Sequence, residues 1–130
     1  MNGKKEVSEV LQDFLNYIDQ CRIEYQAASE AVELEDKKLQ DLLHELEFAK
    51  DENEKRRVST KLQRSRRERR KAKNEKKRME LIVNFFNESE HKRTMNKMRQ
   101  LLGQQRKEEK FLNGEKVYKP RVGKTNEGEM

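Results

Sequence analysis

Fourteen Lys and Arg side chains stand between Lys55 and Arg78, against only two carboxylates, Glu68 and Glu75. Cations at this density suit one chemistry above others: they attract phosphates and release the counterions condensed on a nucleic acid. A helix presents residues around its whole circumference, so the run cannot turn every charge toward one neighbour. Arg64, Arg66, Arg67, Arg70, Lys71, Lys73, Lys77 and Arg78 are therefore the candidate nucleic-acid contacts, acting on phosphates without base specificity. The competing reading is a solvated face paired with Glu30, Glu33, Asp36, Asp41 and Glu45. An acidic protein surface is the third partner the charge allows. Base-specific reading is disfavoured, because the strong heptads lie N-terminal to the run, with acids between, whereas a basic-zipper protein carries its zipper after the basic region.

Other reactive residue types are sparse. His44 and His91 have no Cys or second His at ligand spacing, so no metal site is expected. Cys21 is the only cysteine, which excludes an intrachain disulfide framework and leaves it a small apolar filler. No Ser or Cys can be matched with a His and an orienting acid. The carboxylates spread along solvated faces, where nothing shifts them toward acid–base work. Gly123-Lys124-Thr125 mimics the end of a phosphate-binding loop, but Tyr118 stands where that motif needs its first Gly. The expectation is a protein that is not an enzyme and uses no cofactor.

Two apolar features have binding potential. Leu81, Ile82, Phe85 and Phe86 form a cluster wider than a two-helix seam needs, suited to hold the third helix or a partner's helix, and with Tyr118 they are the candidate partner-binding residues. Tyr118, between Lys116, Lys119 and Arg121, could also stack on a base.

The elements that must position these residues follow from composition and period. Of 130 residues, 43% are charged and 32% hydrophobic, which suits a long helix with one apolar stripe better than a thick core around a buried pocket. Disorder is the rival, since high charge with low hydrophobicity is also its signature. No segment approaches 18 apolar residues, and no apolar run follows the first lysines, so neither a membrane span nor a secretory signal is expected. The charge is polarised: residues 1–53 carry 6 Lys/Arg and 14 Asp/Glu, residues 54–87 carry 14 and 4, and residues 88–130 carry 11 and 7.

From Val7 the apolar positions step by four and three: Val7, Leu11, Phe14, Ile18, Cys21, Tyr25, Ala28, Val32, Glu35, Leu39, Leu42, Leu46, Ala49. Glu35 is the sole intruder in a 3.5-residue period, the mark of a coiled coil. This predicts a first helix from about Lys5 to Lys50, roughly 70 Å long at 1.5 Å per residue. Asp51 and Glu54 have capping-box spacing, which predicts a turn there. The rhythm resumes through Val58, Leu62, Ser65, Arg69, Ala72, Lys76, Met79, Val83 and Phe86. Folded antiparallel about residue 52, Val58 meets Leu46, Leu62 meets Leu42, Val83 meets Cys21, and Glu35 falls opposite Arg69. The acidic arm then lies along the basic arm, which favours this hairpin over a parallel homodimer. One continuous self-associating helix, or a partly disordered basic arm, are the alternatives. Asn87 and Glu90 repeat the capping spacing, so a third helix is expected from about Glu88 to Leu102, with Gly103 at its C′ position or the helix running on. Asn113-Gly114 predicts a turn, with a small hairpin between Phe111-Leu112 and Val117-Tyr118.

Residues 65–122 resemble the C-terminal half of small coiled-coil early-region proteins of phages and prophages of Gram-positive bacteria. The shared features are the RRKAK run at 69–73, NFFNE at 84–88, QLLG at 100–103 and VYKPRV at 117–122. The resemblance covers under half the chain and transfers no catalytic residue. It implies an intracellular phage protein acting near nucleic acid or against host defence.

These readings define an all-α fold: a long antiparallel helical hairpin (coiled coil), a shorter third helix and an irregular C-terminal tail. Residues 1–103 form the helical unit and 104–130 a basic, partly disordered tail. The expected function is non-specific nucleic-acid binding. The alternatives are an inhibitor or adaptor that binds a host protein such as a defence nuclease, and a self-assembling structural coiled coil, homodimeric or larger. The expected location is the cytoplasm, that of the host if the protein is phage-encoded, with no membrane association.

Overall fold

The structure is a computed structural model that describes residues 4–114. It contains three helices: α1 (Val7–Glu47), α2 (Glu52–Asn87) and α3 (Ser89–Asn113). The all-α class follows directly from the 3.5-residue period and from the lack of Gly or Pro between residues 4 and 102.

The turn between α1 and α2 is set by the predicted cap. Asp51 takes extended backbone angles, and its Oδ1 accepts the Glu54 N–H at 2.9 Å. Glu54 reaches back to accept the Lys50 N–H at 3.1 Å, so two otherwise unpaired donors are satisfied at the bend. α2 then returns along α1. Every predicted α2 seam position, from Val58 to Phe86, is buried or half-buried, as is every α1 position from Ile18 to Ala49.

Two seam expectations are corrected. Glu35 does not pair with Arg69. It accepts the Ser65 hydroxyl at 3.1 Å and lies 3.4 Å from Lys38, while Arg69 pairs with Asp36. The small Ser65 leaves room for a carboxylate in the seam, and the long Arg69 side chain carries its charge out to the flank. Lys76 is handled similarly, its ammonium lying over the Tyr25 ring at 5.7 Å from the centroid.

At the N-terminal end of α1 the buried face rotates. Val7 and Phe14 are exposed, whereas Ser8 and Leu15 are buried. The cause is α3, which lies on the neighbouring flank of α1. Contacts run in antiparallel order along the two helices: Arg99 with Asp19 at 3.1 Å, Arg106 with Gln12 at 2.5 Å, Glu109 with Ser8, and Asn113 with Glu6 at 2.8 Å. Leu15, Ile18, Met95 and Leu102 form the core where the helices meet, with Leu11, Phe86 and Met98 against it.

α3 is longer than its predicted minimum. It passes through Gly103 and ends at Asn113, with Gly114 as its C-cap. The expected boundary at residue 103 thus falls inside a helix. An interior glycine costs only about 1 kcal/mol, and beyond it Arg106 and Glu109 contact α1. Phe111 and Leu112 are helical, not part of a hairpin strand. Val117, Tyr118 and the other tail residues lie outside the described residues. Asn87 also does not cap α3. Its Oδ1 accepts from Arg22 Nε at 3.2 Å, and Glu88 is the extended residue between the helices.

Candidate nucleic-acid interface

Heptad geometry sorts the eight candidate cations by flank. Relative to the seam, Arg66, Arg70, Lys73 and Lys77 repeat at steps of four, three and four, which draws them along one side of α2. Arg64, Lys71 and Arg78 fall on the outer and opposite side, and Arg67 points directly away from α1. All eight are exposed.

The two flanks differ in charge. On one side, a shallow hollow is lined by Leu39, Arg66, Arg69, Arg70, Lys73, Asn74 and Lys77, with no carboxylate. On the other, Lys71 and Arg78 share a hollow with Glu24, Glu35, Glu68 and Glu75. Arg78 is there tied to Glu75 at 3.2 Å. Arg64 sits among Glu35, Asp41 and Glu68.

The acidic helix neutralises little of the basic one. Across the α1–α2 seam only Arg69–Asp36 and Lys61–Glu45 form ion pairs among the described residues, the latter at 3.9 Å. Glu30, Glu33 and Asp41, expected as partners of the basic run, pair with none of it. Among the described residues, only Arg78 of the eight candidates is in an ion pair. The reason is geometric: a helix places its flank residues beside the partner helix and its remaining residues in solvent, and one basic residue in two or three can meet an acid at most.

The apolar candidates divide. Phe86 is half-buried against the three-helix core, edge-on to Phe14 at 6.0 Å and to Phe85 at 5.0 Å. It packs against the core shared with α3, the first of the two roles expected for the cluster. Leu81 is 83% exposed, Phe85 47% and Ile82 40%, and Val10, Phe14 and Tyr17 of α1 are exposed as well. Sequence reasoning missed the α1 share of this surface because Phe14 was assigned to the seam. Tyr118 lies outside the described residues.

The α2–α3 break assembles further polar groups. Arg22 Nη2 donates to Phe86 O at 2.9 Å, and His91 Nδ1 lies 2.7 Å from Phe85 O. The end of α2 is thus held by side chains as well as by the Glu88 N–H, which donates to Phe85 O at 3.3 Å. His91 also stacks on Phe85 with centroids 3.8 Å apart, and its Nδ1 is 3.3 Å from Glu88 Oε1. His91 is therefore not isolated: one ligand-type atom from each of Glu88, Glu90 and His91 lies within 4.8 Å of the others. The Nδ1 nitrogen is already engaged by the Phe85 carbonyl, so this grouping reads as a clip on the helix break. Cys21 is buried, and its hydrogen bond with Tyr17 holds the Tyr17 phenol above its usual range.

Compared with protein-family models, curated proteins and solved structures, the chain matches none. Among the described residues, no helix is long and apolar enough to cross a membrane. Fold and surface together define the class: an all-α protein in which an antiparallel helical hairpin and a third helix carry an exposed cationic flank.

Proposed function

We propose that this is a non-enzymatic nucleic-acid-binding protein that uses the exposed side of α2 as a phosphate-contacting surface. The observation that supports this reading is the hollow bounded by Arg66, Arg69, Arg70, Lys73 and Lys77 with no acid among its lining residues. A merely solubilising face would be served equally by mixed charge, as on the opposite flank. The four cations besides Arg69, which is paired with Asp36, leave a net positive charge that raises the local potential and favours a polyanion. The test is affinity for a generic duplex as a function of salt. Four to seven phosphate contacts give a slope of log affinity on log salt of about −4 to −6. A flat response, or no binding at low salt, would sink the proposal.

A second reading, a protein-binding adaptor or inhibitor, is favoured by a separate observation: Leu81, Ile82 and Phe85 of α2 and Phe14 and Tyr17 of α1 are exposed, and Phe14 and Phe85 both lie edge-on to Phe86. Exposed aromatic and aliphatic groups of this kind anchor protein interfaces. A stoichiometric partner retained after nuclease treatment, and lost in Leu81→Ser and Phe85→Ser, would support it.

A further inference from the structure

We propose that the nucleic acid held by the α2 flank is double-stranded, gripped through its phosphates while its bases stay stacked. This rests on the phosphate-binding reading above and narrows its ligand.

The argument starts from what the flank offers and what it lacks. Arg66, Arg70, Lys73 and Lys77 form a straight ridge spanning about 16 Å at 1.5 Å per residue. That length covers roughly five phosphates of one strand at 3.4 Å per nucleotide. None of the four has an ion-pair partner among the described residues, so no carboxylate must be displaced before a phosphate binds. The hollow between them contains no aromatic side chain.

Proteins that hold single strands without sequence preference combine a basic groove with aromatic platforms, on which successive bases stack for about 1–3 kcal/mol each. Among the described residues the aromatics are elsewhere. Tyr25 is half-buried beneath Lys76. Phe14, Phe85 and Phe86 form their own edge-to-face group near the helix break, eight or more residues beyond Lys77. Phe48 stands at the α1–α2 turn. A single strand on this flank would find no stacking platform among the described residues. A duplex asks only for phosphate contacts, and it presents one charge per about 1.7 Å of axis, twice the density of one strand.

The test uses the full chain and fluorescence anisotropy at fixed salt. The probes are a 20-base-pair DNA duplex, an RNA duplex of the same length and an oligo(dT) of equal length. A parallel set uses the R66Q/R70Q/K73Q/K77Q variant, with circular dichroism verifying its helix content. The expected result is at least tenfold tighter binding to one or both duplexes than to oligo(dT), and a duplex salt slope about 3–4 smaller in magnitude for the variant. Equal or tighter oligo(dT) binding that the variant loses would overturn the duplex assignment and leave the flank reading standing. Duplex binding with an unchanged slope in the variant, or no binding to any probe, would overturn both.

Discussion

The carboxylate of Glu109 accepts both the backbone N–H and the hydroxyl of Ser8, a residue 101 positions earlier in the chain. Ser8 lies in the first turn of α1, where backbone N–H groups have no partner within the helix. A side chain from α3 thus completes the N-terminus of α1 and places negative charge at the positive end of its dipole. This contact is the last rung but one, before Asn113–Glu6, of the ladder that holds α3 along α1.

Its pH dependence follows. The Glu109 carboxyl is held below its ordinary value of 4.5 by the Ser8 hydroxyl, then by Gln105, the Ser8 N–H and the charge of Arg106. A lowered folded value means the contribution is complete above about 4.5 and disappears as pH falls through the folded value. Glu109→Gln should therefore melt below the wild type at pH 7, with the difference closing at strongly acidic pH. Thermal melts from pH 7 to pH 2 measure this; a constant difference across the range would refute it.

Leu15 and Phe14 are adjacent, yet only Leu15 is 2% exposed and within the core. Leu15→Ala should cost about 2–5 kcal/mol, in the range for large-to-small core changes. Phe14→Ala should cost under half as much. Urea titrations compare them, and the reverse order would place the α1 core face where the simple heptad puts it.

Gly103 is exposed in the interior of α3, and a methyl group there would meet nothing within 4 Å. Gly103→Ala should raise stability by about 0.5–1 kcal/mol through helix propensity alone. Loss of stability in denaturant titration would show that α3 stops near residue 102.

Arg69 and Asp36 are each partly exposed, so their pair should show a double-mutant coupling of about 0.5–1 kcal/mol. Arg69 and Glu35 should show less, because Glu35 is taken up by Ser65 and Lys38. Equal coupling would restore the pairing that the register alone suggests.

The hairpin was readable because its information is local and periodic. Val58 to Phe86 and Ile18 to Ala49 keep one rhythm, and Asp51 with Glu54 marks the bend in the same few residues. The end built by α3 was not readable. Nothing in the spacing of Val7, Leu11 and Phe14 announces that a helix some ninety residues later will lie on their flank and bury Ser8 and Leu15 instead. Asn87 misled for a related reason: its capping oxygen is claimed by Arg22 of another helix. The cationic run was legible as composition, but its division into a strongly cationic side and a mixed side depends on which α1 residues stand beside each turn of α2.

Cys21 sits 6% exposed on the face of α1 that closes against its neighbours, in a chain with no second sulfhydryl. A thiol reagent in bulk solvent can reach its sulfur only while the rod is open there. The labelling rate therefore serves as a stopwatch for the breathing of the molecule, readable without any added probe, and a bound ligand that clamps the helices together would slow its hand.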